Sequence, residues 1–287
     1  MSGFKTILVP VADASAAAPL EAALRLAGEF KGHVVALHVR VDPALAVPLV
    51  GEGMSGAMVE EMMAAAERQA AHRAVAARAI FDGCRDRLGV ALAAVPGGGD
   101  VSAEWVDVVG REEEIVAWRG RLADIVALAR PGQDGDTPSP MTLNAALMES
   151  GRPLLLVPPG APVFGRHVAI AWNGSAEAGR AVAAALPFLE RAGAVTVLSV
   201  AEDEGADDVP AGELTAYLAW HGIDARCRKL RGQSTLAGEA LIDECRDVGA
   251  DLLVMGAYTH SRLRQLILGG VTRHVIHHAP LACLMCH

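Results

Sequence analysis

Short apolar runs alternate with longer amphipathic stretches along this chain. The runs are four to seven residues long and rich in Val, Leu and Ala, which predicts buried strands rather than helices. The predicted strands are Thr6–Val11, His33–Val39, Ala103–Val109, Asp124–Ala129, Leu154–Val157, His167–Ala171, Val195–Val200, Ala225–Leu230, Leu252–Met255 and Leu281–Met285. Strands that alternate with helices predict an α/β protein, with right-handed crossovers and a parallel sheet that helices cover on both faces.

The stretches between the strands have the spacing of helices. Ser15 is the predicted cap of the first helix, whose apolar face is Leu20, Ala23, Leu24 and Ala27. The other predicted helices are Met54–Leu88, Glu112–Arg121, Met141–Glu149, Ala178–Arg191, Glu213–His221, Thr235–Val248 and Thr272–His277. The Met54–Leu88 helix is unusually long, and its methionines suit either a cover over an apolar cavity or partner, or plain core packing, which we favour.

The order of elements repeats after a proline-rich linker, Pro158–Pro162. His33 aligns with Ala194 at an offset of 161 residues, and Pro153 aligns with Pro280 at an offset of 127. We therefore predict two tandem doubly wound (Rossmann-like) domains, at residues 1–157 and 163–287. The first domain holds the Met54–Leu88 stretch as an insertion. Each domain is expected to form its own sheet, with no single continuous sheet through both halves.

Composition narrows the classes of function. Apolar residues make up 52% of the chain and the formal net charge is −9, which argues against nucleic-acid and anionic membrane surfaces as partners. No apolar run reaches the roughly 20 residues that span a bilayer. The first residues lack a signal-peptide pattern, and five cysteines without regular spacing favour a reducing compartment. We expect a cytoplasmic protein.

The stretch from Asp251 to Thr272 carries the strongest candidate chemistry. A predicted strand ends at Gly256, and the pair Gly269-Gly270 precedes a helical pattern. Glycines let backbone N–H groups approach a ligand, and a helix N-terminus is a ready anion site. This pattern is typical of a phosphate seat. The alternative is structural, in which Gly256 ends a strand and the glycine pair caps a preceding helix.

This stretch resembles the nucleotide loop of the universal stress protein (UspA) family. In that family a strand ends in Gly, a second Gly follows after two intervening residues, and a Gly-Ser or Gly-Thr pair opens a helix after nine more. Gly256 and Gly269 match that pattern, whereas Thr259 and Gly270 depart from it and Thr272 offers a hydroxyl nearby. The whole chain resembles a tandem member, an adenine-nucleotide-alpha-hydrolase-like fold in each half.

The resemblance implies where a nucleotide binds. The family carries Asp-Gly-Ser after its first strand, where this chain has Asn173-Gly174-Ser175, and Asn173-Gly174 is equally a turn with Ser175 as a helix cap. ATP or AMP, with magnesium, is the implied ligand. The candidate ligand-binding residues are Trp172, Asn173, Gly174, Gly256, Thr259, Gly269, Gly270, Val271 and Thr272.

The first half lacks the same features. Its sequence after the first strand is Ala12-Asp13-Ala14-Ser15, one residue out of step, and Thr142-Leu143 stands where the glycine pair would be. Pro131, Pro138 and Pro140 also remove backbone donors. We expect the first half to keep the fold without the phosphate seat. The resemblance implies that the two halves pair through their last strands, Leu154–Val157 and Leu281–Met285, in an antiparallel seam. The chain would then be an intramolecular pseudo-dimer. Whether two chains also form a homodimer stays open.

Two functions remain in competition. The first is a non-enzymatic stress-response protein that binds an adenine nucleotide in its second half. The second is a nucleotide-independent member that acts as an interaction or small-ligand module, which Thr259 and Gly270 favour. Slow ATP hydrolysis ranks last, because no base or water-positioning carboxylate is evident near the loop.

Two further motifs each have a structural explanation beside the functional one. The C-x-x-C-H pattern at Cys283–His287 matches haem attachment, but a buried strand end is the favoured interpretation. His274 and His278 share a helix face, but no third metal ligand is fixed by spacing, so no metal site is predicted.

Overall fold

A computed structural model describes residues 3–40, 56–95, 99–132, 138–160, 163–200, 211–230, 237–258 and 270–287. The strands are β1 Thr6–Pro10, β2 His33–Arg40, β3 Ala91–Leu92, β4 Ser102–Val109, β5 Ile125–Ala129, β6 Leu154–Val157, β7 His167–Trp172, β8 Ala194–Val200, β9 Ala225–Leu230, β10 Leu252–Gly256 and β11 Ala282–Cys286. The helices are α1 Ala17–Phe30, α2 Gly56–Leu88, α3 Glu112–Gly120, α4 Pro140–Met148, α5 Ala176–Leu189, α6 Ala211–Trp220, α7 Ala237–Asp247 and α8 Gly270–His278.

The strand order is the same in both halves. Leaving aside the two-residue β3, the first half runs β4-β2-β1-β5-β6 and the second β9-β8-β7-β10-β11, which is 3-2-1-4-5 in each. All pairings within a half are parallel. This order is that of a doubly wound sheet, and it confirms the predicted fold class.

The halves join through their last strands, as the resemblance implied. β6 and β11 pair antiparallel, with Leu284 opposite Leu155 and Met285 opposite Leu154. The described strands therefore form one eleven-stranded sheet. The expectation of two separate sheets was wrong, because the seam is itself hydrogen-bonded and makes the two sheets continuous. The repeated strand order survives this join.

Helices cover both faces of the sheet. The front face carries α1, α2, α5 and α6, and the back face carries α3, α4, α7 and α8. Side chains alternate between these faces along each strand, so Ile170 packs on the front and Ala171 on the back. The front core crosses the seam, where the ring centroids of Phe4 and Phe188 are 5.1 Å apart.

Two local predictions need correction. Asp13, rather than Ser15, caps the first helical turn, because its side chain accepts a hydrogen bond from the Ser15 N–H at 2.8 Å and a 3₁₀ turn precedes α1. The strand β3 was missed, because it is only two residues long and both residues are exposed. The predicted long helix is confirmed from Gly56 onward, and its first two residues lie outside the described ones.

Candidate functional site

The crevice of the second half lies where β7 and β10 are neighbours. β7 continues to β8 on one side and β10 continues to β11 on the other, so this is the switch point of the strand order. Ala171 pairs with Met255, which brings the residues after β7 and the end of β10 to the same edge. Ligands of doubly wound sheets bind beyond the carboxyl ends of the strands at such a point.

Asn173, Gly174 and Ser175 form a turn and a helix cap. The Asn173 Oδ1 accepts hydrogen bonds from the Ser175 N–H at 3.2 Å and the Ser175 hydroxyl at 2.7 Å. The Ser175 Oγ in turn accepts the N–H of Ala178 at 3.1 Å, and Gly174 has a φ of +69°. The predicted turn and cap are confirmed. The carboxamide oxygen of Asn173 is already committed to this turn, which leaves its NH₂ group for a ligand.

Gly256 has a packing reason to be glycine. A Cβ built on Gly256 would lie 2.6 Å from the backbone nitrogen of Ala178 and 2.9 Å from the carbonyl carbon of Glu177. The first turn of α5 therefore packs directly on the end of β10. The phosphate interpretation has Gly256 admit a ligand close to the backbone, and in this structure the group that approaches closely is the backbone of α5.

The same contact brings an acidic residue of α5 next to the end of β10. Glu177 lies beside Gly256, and its carboxylate pairs with Arg180 at 2.7 Å. The spacing of residues along the chain does not show that the start of α5 meets the end of β10.

The helix α8 is described from Gly270 onward, and residues 259–269 before it lie outside the described part of the chain. The side chain of Thr272 is buried, and its Oγ1 accepts a long hydrogen bond of 3.4 Å from the N–H of Tyr258, a residue with a φ of +56°. Val271 packs against the back-face core. The first N–H groups of a helix lack intrahelical acceptors, and a helix start therefore favours an anion.

Two of the candidate residues lie outside the described part of the chain. These are Thr259 and Gly269. Gly256, Gly270, Val271 and Thr272 are described, and so are the three residues that follow Ala171.

Trp172 directs its side chain away from α8. It packs against the front-face core, whereas Tyr258 and Val271 pack against the back-face core. Its indole Nε1 is buried, and no acceptor lies within hydrogen-bond distance in the described structure. Trp172 therefore borders the crevice with its backbone only.

The corresponding edge of the first half is acidic. Burial raises the pKa of Glu112, and the nearby carboxylates of Glu113 and Asp13 raise it further. The start of α4 is capped, because the Ser139 Oγ accepts the N–H of Thr142 at 3.1 Å. Pro140 occupies the first turn of this helix. The first half thus has a capped, proline-containing helix start and a group of carboxylates at this edge, together with Arg130 directly after β5.

The two remaining motifs lie on β11 and α8. Cys283 and Cys286 lie within the buried strand β11, and burial raises the pKa of Cys286 to about 12. His274 and His278 stack with their ring centroids 4.3 Å apart. Within the described residues no group of three or more His, Cys, Asp or Glu is placed to hold a metal ion. None of the described helices is long and apolar enough to cross a membrane.

Comparisons with known proteins agree with this geometry. A structure of a universal stress protein from Archaeoglobus fulgidus DSM 4304 has a TM-score of 0.67 at 15% identity, covering 98% of this chain and 97% of its own. A protein from Pseudomonas aeruginosa UCBPP-PA14 has a TM-score of 0.56 at 14% identity, covering 99% of this chain and 94% of its own. At these identities the likeness shows the fold alone.

Sequence comparison supplies the family. No curated protein matches this chain. The model of the universal stress protein family matches residues 3–136 and again residues 165–287. Because these two stretches cover most of the chain, the chain belongs to the universal stress protein family.

Proposed function

We propose that this chain is a cytoplasmic, non-enzymatic stress-response protein whose second half binds an adenine nucleotide, ATP or AMP, with magnesium. One observation supports the proposal above all: the first described turn of α8 lies near the end of β10, because the Thr272 Oγ1 accepts the N–H of Tyr258, two residues beyond that strand, at 3.4 Å. A helix N-terminus in that position favours a phosphate.

The residues take distinct roles in this proposal. The N–H groups of Gly270, Val271 and Thr272 face the phosphates, and Gly256, Thr259 and Gly269 belong to the loop around them. Asn173, through its NH₂ group, and the backbone of Trp172 and Gly174 border the nucleoside. In this proposal the domain at residues 163–287 binds the nucleotide, and the domain at residues 1–157 does not.

Isothermal titration with ATP and magnesium tests the proposal. Gly270→Pro removes one N–H at the helix start, where proline is tolerated, and a Cβ there would meet no atom within 4 Å. Gly270→Ala is the matched control, because it keeps the N–H. We expect heat with the wild type and the alanine variant, and about tenfold weaker binding with the proline variant. No heat and no thermal shift at millimolar ATP would refute nucleotide binding.

The competing function is a nucleotide-independent interaction or small-ligand module. Three polar or backbone positions of the crevice are already used within the protein, namely the oxygen of Asn173, the hydroxyl of Thr272 and the backbone at Gly256. The double variant Thr259→Gly with Gly270→Ser separates the two functions. This variant should gain affinity for ATP if the wild type does not bind nucleotide. Its affinity for ATP should change little if the wild type already binds ATP.

Hydrolysis is tested separately because Glu177 lies beside Gly256. Because the Glu177 carboxylate pairs with Arg180, it is not free to act as a base. We expect no phosphate release from ATP above the buffer rate over hours. Release that disappears in Glu177→Gln would overturn the non-enzymatic assignment.

A further inference from the structure

A cavity of about 400 Å³ lies between α5 and α6 on the front face of the second half. It is lined by Trp172, Gly179, Val182, Glu213, Leu214 and Tyr217. Small-molecule sites are typically cavities of about 300–1,000 Å³ with mostly apolar walls and a few polar groups. Since α8 packs on the back face, this cavity is separate from the crevice discussed above.

The first half fills the equivalent space with its own helix. The α2 side chain of Phe81 is fully buried, and Cys84 and Arg87 of α2 contact Ala17 and Glu21 of α1. At the offset of 161 residues, Glu21 corresponds to Val182, which lines the cavity. The cavity therefore occurs in the half whose second helix is short.

The walls of the cavity favour a cation. They combine two aromatic rings, Trp172 and Tyr217, with the carboxylate of Glu213, and no described basic side chain lines them. Glu213 is exposed and forms no hydrogen bond or ion pair within the described structure. Aromatic faces attract organic cations, and a net charge of −9 draws cations toward the protein.

We propose that this cavity is a binding site for a small organic cation with an apolar body, such as a quaternary or aromatic ammonium compound. The aromatic rings and Leu214 contact the apolar body, and Glu213 neutralises the charge. The site depends on Gly179, because a Cβ built there points into open space and meets no atom within 4 Å. A larger side chain at this position would occupy the cavity.

Titration with benzyltrimethylammonium tests the site, followed by NMR of the tryptophan indole N–H groups. The chain has four tryptophans, and the Trp172 signal is assigned by its loss in Trp172→Phe. We expect the Trp172 signal to move with millimolar benzyltrimethylammonium and to stay in place with the anion benzenesulfonate. Glu213→Gln should weaken binding about threefold, as for an exposed ion pair.

Matched variants separate the site from general effects. Gly179→Leu should weaken binding at least tenfold, whereas Gly83→Leu, at an open and exposed position of α2, should leave it unchanged. Glu239→Gln removes an exposed carboxylate from the first turn of α7 and should also change nothing. If Gly179→Leu does not fold, Gly179→Ala takes its place. An unmoved Trp172 signal, an equal response to benzenesulfonate, or undiminished binding in the folded Gly179 variant would overturn the proposal.

Discussion

The two halves share one strand order and differ in how the second helix packs on the first. In the first half, Phe81 packs against Trp105 at 5.6 Å between ring centroids, and Trp105 stacks on His38 at 5.7 Å. In the second half, the shorter α6 leaves the cavity beside Trp172. The sheet is therefore common to both halves, and the helix after the second strand determines whether the front face is filled or hollow.

The crevices of the two halves differ in charge as well. Asp13 and Asn173 make the same turn, each accepting the N–H two residues ahead. Asp13 adds a carboxylate near Glu112, whereas Asn173 adds none. The comparison shows that a duplicated turn can keep its backbone geometry while its electrostatics change.

The largest expected effect comes from emptying the front face of the first half. Phe81→Ala should lower the free energy of unfolding by about 4 kcal/mol, because it removes a fully buried ring and leaves a cavity. Urea unfolding measures the change. Val75→Ala, at a 72% exposed position of the same helix, is the control and should cost under about 0.5 kcal/mol. Equal effects of the two variants would mean that α2 does not fill this space.

The next effect concerns the contact of α5 with β10. Gly256→Ala should destabilise the protein by about 2 kcal/mol, since its Cβ meets the α5 backbone at 2.6 Å. The corresponding residue of the first half is Ala129, so Ala129→Gly is the matched reverse change and should cost about 1 kcal/mol. Thermal unfolding of the pair measures both. A neutral Gly256→Ala would show that α5 moves aside without cost.

A smaller effect tests the charge difference between the crevices. The pKa of Glu112 is raised in the folded protein, so the folded state holds this proton at a higher pH than the unfolded chain does. Stability from Glu112 is therefore present at low pH and is lost as pH rises from its ordinary 4.5 through the folded pKa. Glu112→Gln should raise the melting temperature at pH 7 and have little effect at pH 4.

The control for Glu112 is its neighbour Glu114. That side chain is exposed and pairs with Arg111, so Glu114→Gln should change the melting temperature little at either pH. A lower melting temperature for Glu112→Gln at pH 7 would contradict this prediction. It would mean that the favourable interaction of the carboxylate with the start of α3 outweighs the cost of its burial and of its acidic neighbours.

The smallest expected effect concerns the number of cysteine thiols that react in the folded protein. Cys227 on β9 is exposed, and Cys84, Cys245, Cys283 and Cys286 are buried. Burial raises the pKa of Cys245 to about 12, so its thiolate is scarce at neutral pH. A chromogenic disulfide reagent at pH 8 should modify one thiol per folded chain and five in denaturant. Fast modification of Cys283 or Cys286, mapped by mass spectrometry, would show that the seam opens.

The sequence by itself determined the elements, the duplication and the family. Apolar runs bounded by turns located the long strands to within about two residues, because burial and turn chemistry act locally. The offsets between His33 and Ala194 and between Pro153 and Pro280 identified the repeat, and the seam followed from the resemblance. The strands and helices depend on residues that are near one another in the chain, whereas the repeat shows as the same local pattern met twice.

Only the tertiary structure decided which groups meet. Strands buried on both faces show no alternation of polar and apolar residues, so the sequence does not show that Trp172 turns to the front and Ala171 to the back. The contact of Glu177 with Gly256 joins residues 79 positions apart, and it gives that glycine its packing role. The cavity beside Trp172 arises from the distance between α5 and α6, which depends on how two helices pack over one sheet and not on any local pattern.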